Sequence, residues 1–305
     1  MNPILEGTQY VVENAQHVMI DKELLLILPI YGKNVPAWEC DVHYNGTDSL
    51  EALWYVLVLD TLNFCFWNTP EKKWSMEYNG KKNSGYRALA ASLRRAMDEE
   101  IPITNAYYLR AMPKQDLEHI LRGQGELLLM DERVKALNEL GSVLLEKYNG
   151  DPLHLLEEAG FDALSLAFVM TKEFSSFRDV AQYKGRSIPL LKRAQILAAD
   201  IHGAKSYPLR GMDKITAFAD YKLPQLLHAY GVLKYEQSLD ENIRNGVELA
   251  SGSEEEIEIR AATIQAVEMI KALTPLASYQ IDWILWTTAK ELSLQTHHQT
   301  RTIFY

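Results

Sequence analysis

The sequence predicts a mainly α-helical fold with a minor β-hairpin, and three observations carry that expectation. The 305 residues include only 16 glycines and 11 prolines, about 9% of the chain where average usage gives roughly 12%, so breaks between regular elements are few. Residues that cap helices stand repeatedly before apolar runs of helical period. The pair Asn79-Gly80 follows the alternating Trp74, Met76 and Tyr78, a pattern that signals a tight hairpin. With 47% hydrophobic and 24% charged residues, the chain has a globular composition, and residues 1–305 are expected to form one lobed domain.

Taken in order, the run LLLILPIY from Leu24 to Tyr31 is short and broken by Pro29, which suits an extended or buried segment. Thr47, Asp48 and Ser49 are candidate caps for LEALWYVLVLDTL, a helix apolar on nearly every side and therefore buried. Its end delivers NFCFWN, Asn63 to Asn68. After the hairpin, Tyr86 to Glu100 fits an amphipathic helix, and further helices run from Asp116 to Arg122, from Asp131 to Tyr148, and onward from Asp151-Pro152. Ser187 as cap and Pro189 in the first turn open IPLLKRAQILAADIHGA, with Leu190, Ala194, Leu197 and Ile201 on one face and Lys192 away from it. Ser253 and Glu256 have capping-box spacing before a long helix carrying Ile257, Ala261, Ile264, Val267 and Ile270. Ile281 to Leu292 is a last helix, followed by a polar tail and the aromatic end IFY.

Charge and motif content narrow the function. Against 31 basic residues stand 41 acidic ones, a net charge of −10, which argues against a broad grip on a nucleic-acid backbone. The expected partner is a small molecule rather than intact nucleic acid, and an anionic one needs a local basic pocket. Cys40 and Cys65 make no disulfide framework, as for an intracellular, cytoplasmic protein with free thiols. The first 16 residues lack the features of a secretory signal, and the longest apolar stretch, Ala52 to Leu59, is too short to span a bilayer. Nucleophile-elbow, P-loop and dinucleotide motifs do not occur. No metal site is expected, because neither cysteine has a partner at ligand spacing and His297-His298 sits in a polar, solvated tail.

What remains is an aromatic cluster and a few charges in apolar settings. Phe64, Phe66 and Trp67, beside Asn63, suit either a packed core or a platform on which a flat heterocycle stacks. Asp220 lies in TAFADYKLPQLL, where a carboxylate is paired, caps the following helix, or has its pKa raised by burial. Lys192 is either a surface residue or a cation for a phosphate or for such a carboxylate.

Four long segments, VLDTLNFCFW, SSFRDVAQYKGRSIPLLKRAQILAADI, ITAFADYKLPQLL with GVLKY, and GSEEEIEIRAATIQAVE, resemble the queuosine salvage protein family. The resemblance runs from VVENAQHV to HHQTRTIFY, nearly the whole chain. These queuosine 5′-monophosphate N-glycosylases are similar to helix-hairpin-helix DNA glycosylases, which implies a helical fold of that type. The resemblance further implies hydrolysis of the bond between ribose and queuine, a substituted 7-deazaguanine, releasing the base for reuse in transfer RNA modification. No cofactor is implied, and the protein is expected to be a monomer or weak homo-oligomer. Cleavage passes through an oxocarbenium-like sugar cation, which a nearby carboxylate stabilises while activating water. Asp220 is the candidate for that role, with Lys192 positioning it or holding the 5′-phosphate. Asn63 and the Phe64, Phe66 and Trp67 cluster suit the base, His43 the base or ribose, and Asp200, roughly two turns after Lys192, the ribose or the queuine amine. Arg178 is open between a phosphate contact and a buried ion pair, whereas Glu256, Glu258 and Arg260 are read as architectural. A non-catalytic binder of a modified nucleoside, or a helical interaction scaffold, is the alternative.

Overall fold

Side-chain caps mark some of the helix starts, at Asn2, Asp48, Asn105, Asp162 and Ser253, while other helices begin without one. A computed structural model describes residues 2–38, 41–292 and 294–305, so Cys40 lies outside the described residues. Its first half comprises α1 (Pro3–Glu13), β1 (Val18–Ile20), α2 (Ser49–Thr61), β2 (Ser75–Tyr78), β3 (Lys81–Ser84), α3 (Tyr86–Asp98), α4 (Ala106–Ala111), α5 (Lys114–Ile120) and α6 (Met130–Lys147). There follow α7 (Leu153–Glu158), α8 (Ala163–Glu173), β4 (Val180–Tyr183), β5 (Arg186–Pro189), α9 (Lys192–Gly203), α10 (Lys222–Ala229), β6 (Leu233–Tyr235), α11 (Gln237–Arg244), α12 (Glu254–Lys271) and α13 (Ser278–Glu291). The fold is mainly α, with three small antiparallel strand pairs among the described residues, β1 with β6, β2 with β3 and β4 with β5.

Asp48 caps α2, its Oδ1 accepting from the backbone N–H groups of Leu50 and Glu51 at 2.8 and 2.9 Å. Every residue of that helix from Ala52 to Thr61 is buried, as an all-round apolar helix requires. It packs against α9, α6 and α3, at the heart of the larger core. A second core gathers α10, α12 and α13 with the β1–β6 pair. In the β2–β3 hairpin, Asn79 and Gly80 both take positive φ, 50° and 70°, the conformation that a two-residue turn of this hand needs. No helix among the described residues is long and apolar enough to cross a membrane.

Four expectations are corrected. Ser187 to Pro189 do not open a helix: they form β5, paired with β4 through a turn at Lys184 and Gly185, both with positive φ. The chain then passes through Leu191 in the left-handed region, and α9 starts at Lys192, with nine of its 12 residues buried rather than one stripe. Pairing with a neighbouring strand here overrides the local cap signal. At α12, Ser253 does cap Glu256 N–H at 3.3 Å, but the Glu256 carboxylate reaches back to Gly252 N–H, not to Ser253. The Leu24–Tyr31 segment contains part of a 3₁₀ turn, Glu23–Ile27, burying Leu25, Leu28 and Ile30 while Leu26 and Ile27 face outward. Finally, the polar tail is solvated only in part, with Gln295, Thr296 and Arg301 exposed. His298 is buried, as are Thr300, Thr302 and Tyr305, because the segment pairs with the interior: Cys65 N–H donates to Tyr305 O at 2.8 Å and Leu249 N–H to Gln299 O at 2.8 Å.

Candidate active site

Four carboxylates and one lysine meet where α2, α9, α10 and α13 converge. Asp60, in the last turn of α2, is completely buried. Its Oδ1 accepts from Asn63 Nδ2 at 3.0 Å, and its Oδ2 has no hydrogen-bond partner among the described residues. Asp200, two turns along α9 from Lys192, accepts from the Tyr86 hydroxyl at 3.2 Å; that hydroxyl also lies 3.1 Å from His43 Nε2. His43 is buried and stacks on Trp38, the ring centroids 4.1 Å apart. Asp220 caps α10, its Oδ1 accepting from the N–H groups of Lys222 and Leu223 at 2.7 and 3.1 Å. Asp282, on α13, accepts from Phe218 N–H at 2.7 Å. Lys192 is 5% exposed. Its ammonium makes no direct carboxylate contact among the described residues, and Asp220, Asp60 and Asp282 act on it through space.

Electrostatics follows from this crowding. Burial pushes the Asp60 carboxyl up to about 7, against the Asn63 hydrogen bond and the charges of Lys192 and Arg193. Asp200 is raised well above the carboxylate range, first by burial and then by Asp60, with Trp38, Tyr86 and Lys192 opposing. Burial likewise raises Asp282, with Asp220 adding to it. Asp220 is raised by burial too, but Lys192 and two backbone N–H groups work in the other direction. Lys192 is lowered by burial and supported chiefly by Asp220. Burial raises all four carboxyls, and repulsion of Asp200 by Asp60 and of Asp282 by Asp220 adds to it. Asp220, with the lysine and two N–H donors in its favour, is the member best arranged to carry the charge. His43 is held neutral, its pKa lowered to about 4 by burial.

The other residues singled out from sequence fall into two groups. Asn63 joins the cluster through Asp60. Phe64 is 1% exposed, with the guanidinium carbons of Arg133 and Arg193 over its ring at 4.2 and 4.9 Å. Its ring belongs to the interior, the packed alternative of the two open from sequence. Phe66 and Trp67 are partly buried; the Trp67 indole donates to Thr300 O at 3.0 Å and so holds the C-terminal segment. Arg178 is exposed, and among the described residues its side chain reaches Thr171 O alone, at 3.4 Å. The buried ion pair, one of the two alternatives open for it, is made instead by its neighbour Asp179, which meets Arg260. Glu258 is architectural: its oxygens accept from the N–H groups of Gln16, His17 and Val18 and from the Tyr183 hydroxyl. His17, Glu254 and Glu258 bring one ligand atom each within 4.8 Å of one another, yet these bonds already explain the burial of Glu258.

Sequence reasoning missed Asp60, Tyr86, Asp282 and the buried arginines. Asp60 carried a signal, a lone carboxylate in the apolar run VLVLDTL. Arg133 and Arg193 cap the end of α2 by donating to backbone carbonyls, those of Leu62 and Phe64 for Arg133 and those of Asp60 and Thr61 for Arg193. Nothing local in the sequence marks them for that task.

Fold and candidate site together give a mainly helical protein in which buried carboxyls gather about a buried lysine. Residues 42–305 match the family described as queuosine salvage protein. The chain is 43% identical over 318 residues to the queuosine 5′-phosphate N-glycosylase/hydrolase of Sphaerobacter thermophilus, spanning 99% of this chain and 97% of that one. It is 35% identical to the protein of the same name from Bos taurus, over 98% of both chains, and 30% identical to that of Schizosaccharomyces pombe, over 95% of this chain and 92% of the other. The chain belongs to the queuosine salvage protein family.

Proposed function

We propose that this protein hydrolyses the N-glycosidic bond of queuosine 5′-monophosphate and releases queuine, with Asp220 and Lys192 as the catalytic pair. The observation that carries the reading is the buried Asp220 carboxylate, fixed by two backbone N–H groups and faced through space by the ammonium of Lys192. In this mechanism the bond from the anomeric carbon to the base nitrogen breaks, and its electron pair leaves with the base. The ionised Asp220 stabilises the sugar cation and accepts a proton as water adds to the anomeric carbon. Lys192 keeps Asp220 ionised. The departing 7-deazaguanine lacks the purine N7, so proton donation and hydrogen bonding come from elsewhere, and Asp200, Asn63 and His43 are the groups suited to the base or ribose. Burial and Asp60 raise the Asp200 carboxyl well above the usual range, which suits it to the role of proton donor rather than second base. The net charge of −10 favours a free nucleotide over intact transfer RNA, which most of the surface would repel.

The test is incubation with queuosine 5′-monophosphate, following free queuine by chromatography. Release is expected from the wild type, and Asp220→Asn should lose turnover while keeping affinity within about tenfold. Absence of release over hours at high protein concentration points instead to a non-catalytic binder.

A further inference from the structure

We infer that the buried Asp179–Arg260 pair is a positioning device that sets the placement of Asp220 relative to Lys192. The inference rests on the reading of those two residues given above. Arg260 and Asp179 are nearly fully buried and meet through two parallel hydrogen bonds, Nη1 to Oδ1 at 2.9 Å and Nη2 to Oδ2 at 2.6 Å. The same Asp179 Oδ2 accepts the backbone N–H of Lys192 at 2.9 Å, while the Asp179 carbonyl accepts from Leu190 and Leu191 at 3.0 and 3.2 Å. Asp179 therefore fixes the first residue of α9 and the left-handed turn before it. At its other edge the Arg260 guanidinium donates through Nε to Ala219 O at 3.1 Å, the carbonyl of the peptide that joins Ala219 to Asp220. The guanidinium and the Asp179 carboxylate together thus link the backbone attachment points of both catalytic candidates.

The i,i+4 partner on α12 does not account for this arrangement. Glu256 lies 3.4 Å from Arg260 Nη1, longer than either contact to Asp179. Tyr305 supports the fork from another side, its ring 4.5 Å from the guanidinium carbon. An ion pair retained only for stability would be as well served by apolar side chains of equal volume, whereas bridging a carboxylate and a carbonyl requires a rigid fork of N–H donors. A lysine at position 260 keeps the charge but not the fork.

Arg260→Lys, Asp179→Asn and the control Glu256→Gln would be compared with the wild type by circular dichroism, kcat, KM and the pH profile of kcat on queuosine 5′-monophosphate. Arg260→Lys and Asp179→Asn should keep the wild-type spectrum and KM within about threefold while kcat falls roughly tenfold to a hundredfold, the scale of an ångström-sized misplacement. The acid limb of the kcat profile should move to higher pH, because Asp220 then feels less of the Lys192 charge. Glu256→Gln should leave kcat within about threefold. Wild-type kcat and profile in the folded variants would overturn the inference. So would loss of folding in both, which makes the pair an element of stability alone. Asp220→Asn in the same assay separates the two levels: turnover retained there removes the catalytic reading itself, while its loss alongside normal Arg260→Lys and Asp179→Asn removes only the positioning role.

Discussion

The Asn63 side-chain amide donates to Asp60 Oδ1 at 3.0 Å, anchoring the segment that leaves α2 to an acid in the helix's own last turn. Asp60 is buried and its carboxyl is raised to about 7. A group whose folded pKa lies above its unfolded value stabilises the fold fully below the unfolded value, and that contribution is lost as pH rises through the folded one. For Asp60 the window runs from about 4 to about 7. Asp60→Asn removes the ionisation and keeps an oxygen for Asn63, so its melting temperature relative to wild type should climb between about pH 4 and pH 7. A difference that stays flat across that range would mean that Asp60 ionises at no cost.

Tyr86 joins Asp200 to His43 with one hydroxyl, at 3.2 and 3.1 Å. Tyr86→Phe leaves both partners buried without it, which should cost about 1–3 kcal/mol of stability. Catalytic efficiency should fall as well, since that bridge is one of the contacts that hold Asp200 and His43 in place. Thermal unfolding together with kcat/KM reads both effects; a variant as stable and active as wild type would exclude the link.

Phe64 and Trp67 adjoin in sequence but differ in setting. Phe64→Ala empties a fully buried position beneath two guanidinium groups and should destabilise by roughly 3–5 kcal/mol. Trp67→Ala, at a partly buried position, should cost less and weaken nucleotide binding by about 1–3 kcal/mol where the base stacks on it. Denaturant titration and calorimetry on the folded variants distinguish the two outcomes.

Gly80 offers a control away from the acid cluster. Its φ of +70° falls in the left-handed region, and a Cβ there would meet nothing within 4 Å. Gly80→Ala should therefore cost only backbone strain, about 1 kcal/mol, with kcat unchanged. A larger loss would implicate the hairpin in more than turn geometry.

Local chemistry alone specified a good part of this protein. The cap Asp48, the all-apolar run of α2 and the Asn79-Gly80 turn each act within a few residues, so they are legible before any fold is known. Asp220 and Lys192 stood out for a similar reason, as charges set among apolar neighbours. Tertiary structure decided the rest. Ser187 and Pro189 went to a strand because β4 was there to pair with them. His298 was buried because Tyr305 folds back on Cys65. Asp179 found Arg260 across 81 positions of sequence, in addition to the i,i+4 partner Glu256 beside that arginine on its own helix. Capping and turn preferences are short-range energies written in neighbouring residues; burial and ion pairing depend on which distant segment arrives to exclude water, and only the packed chain fixes that.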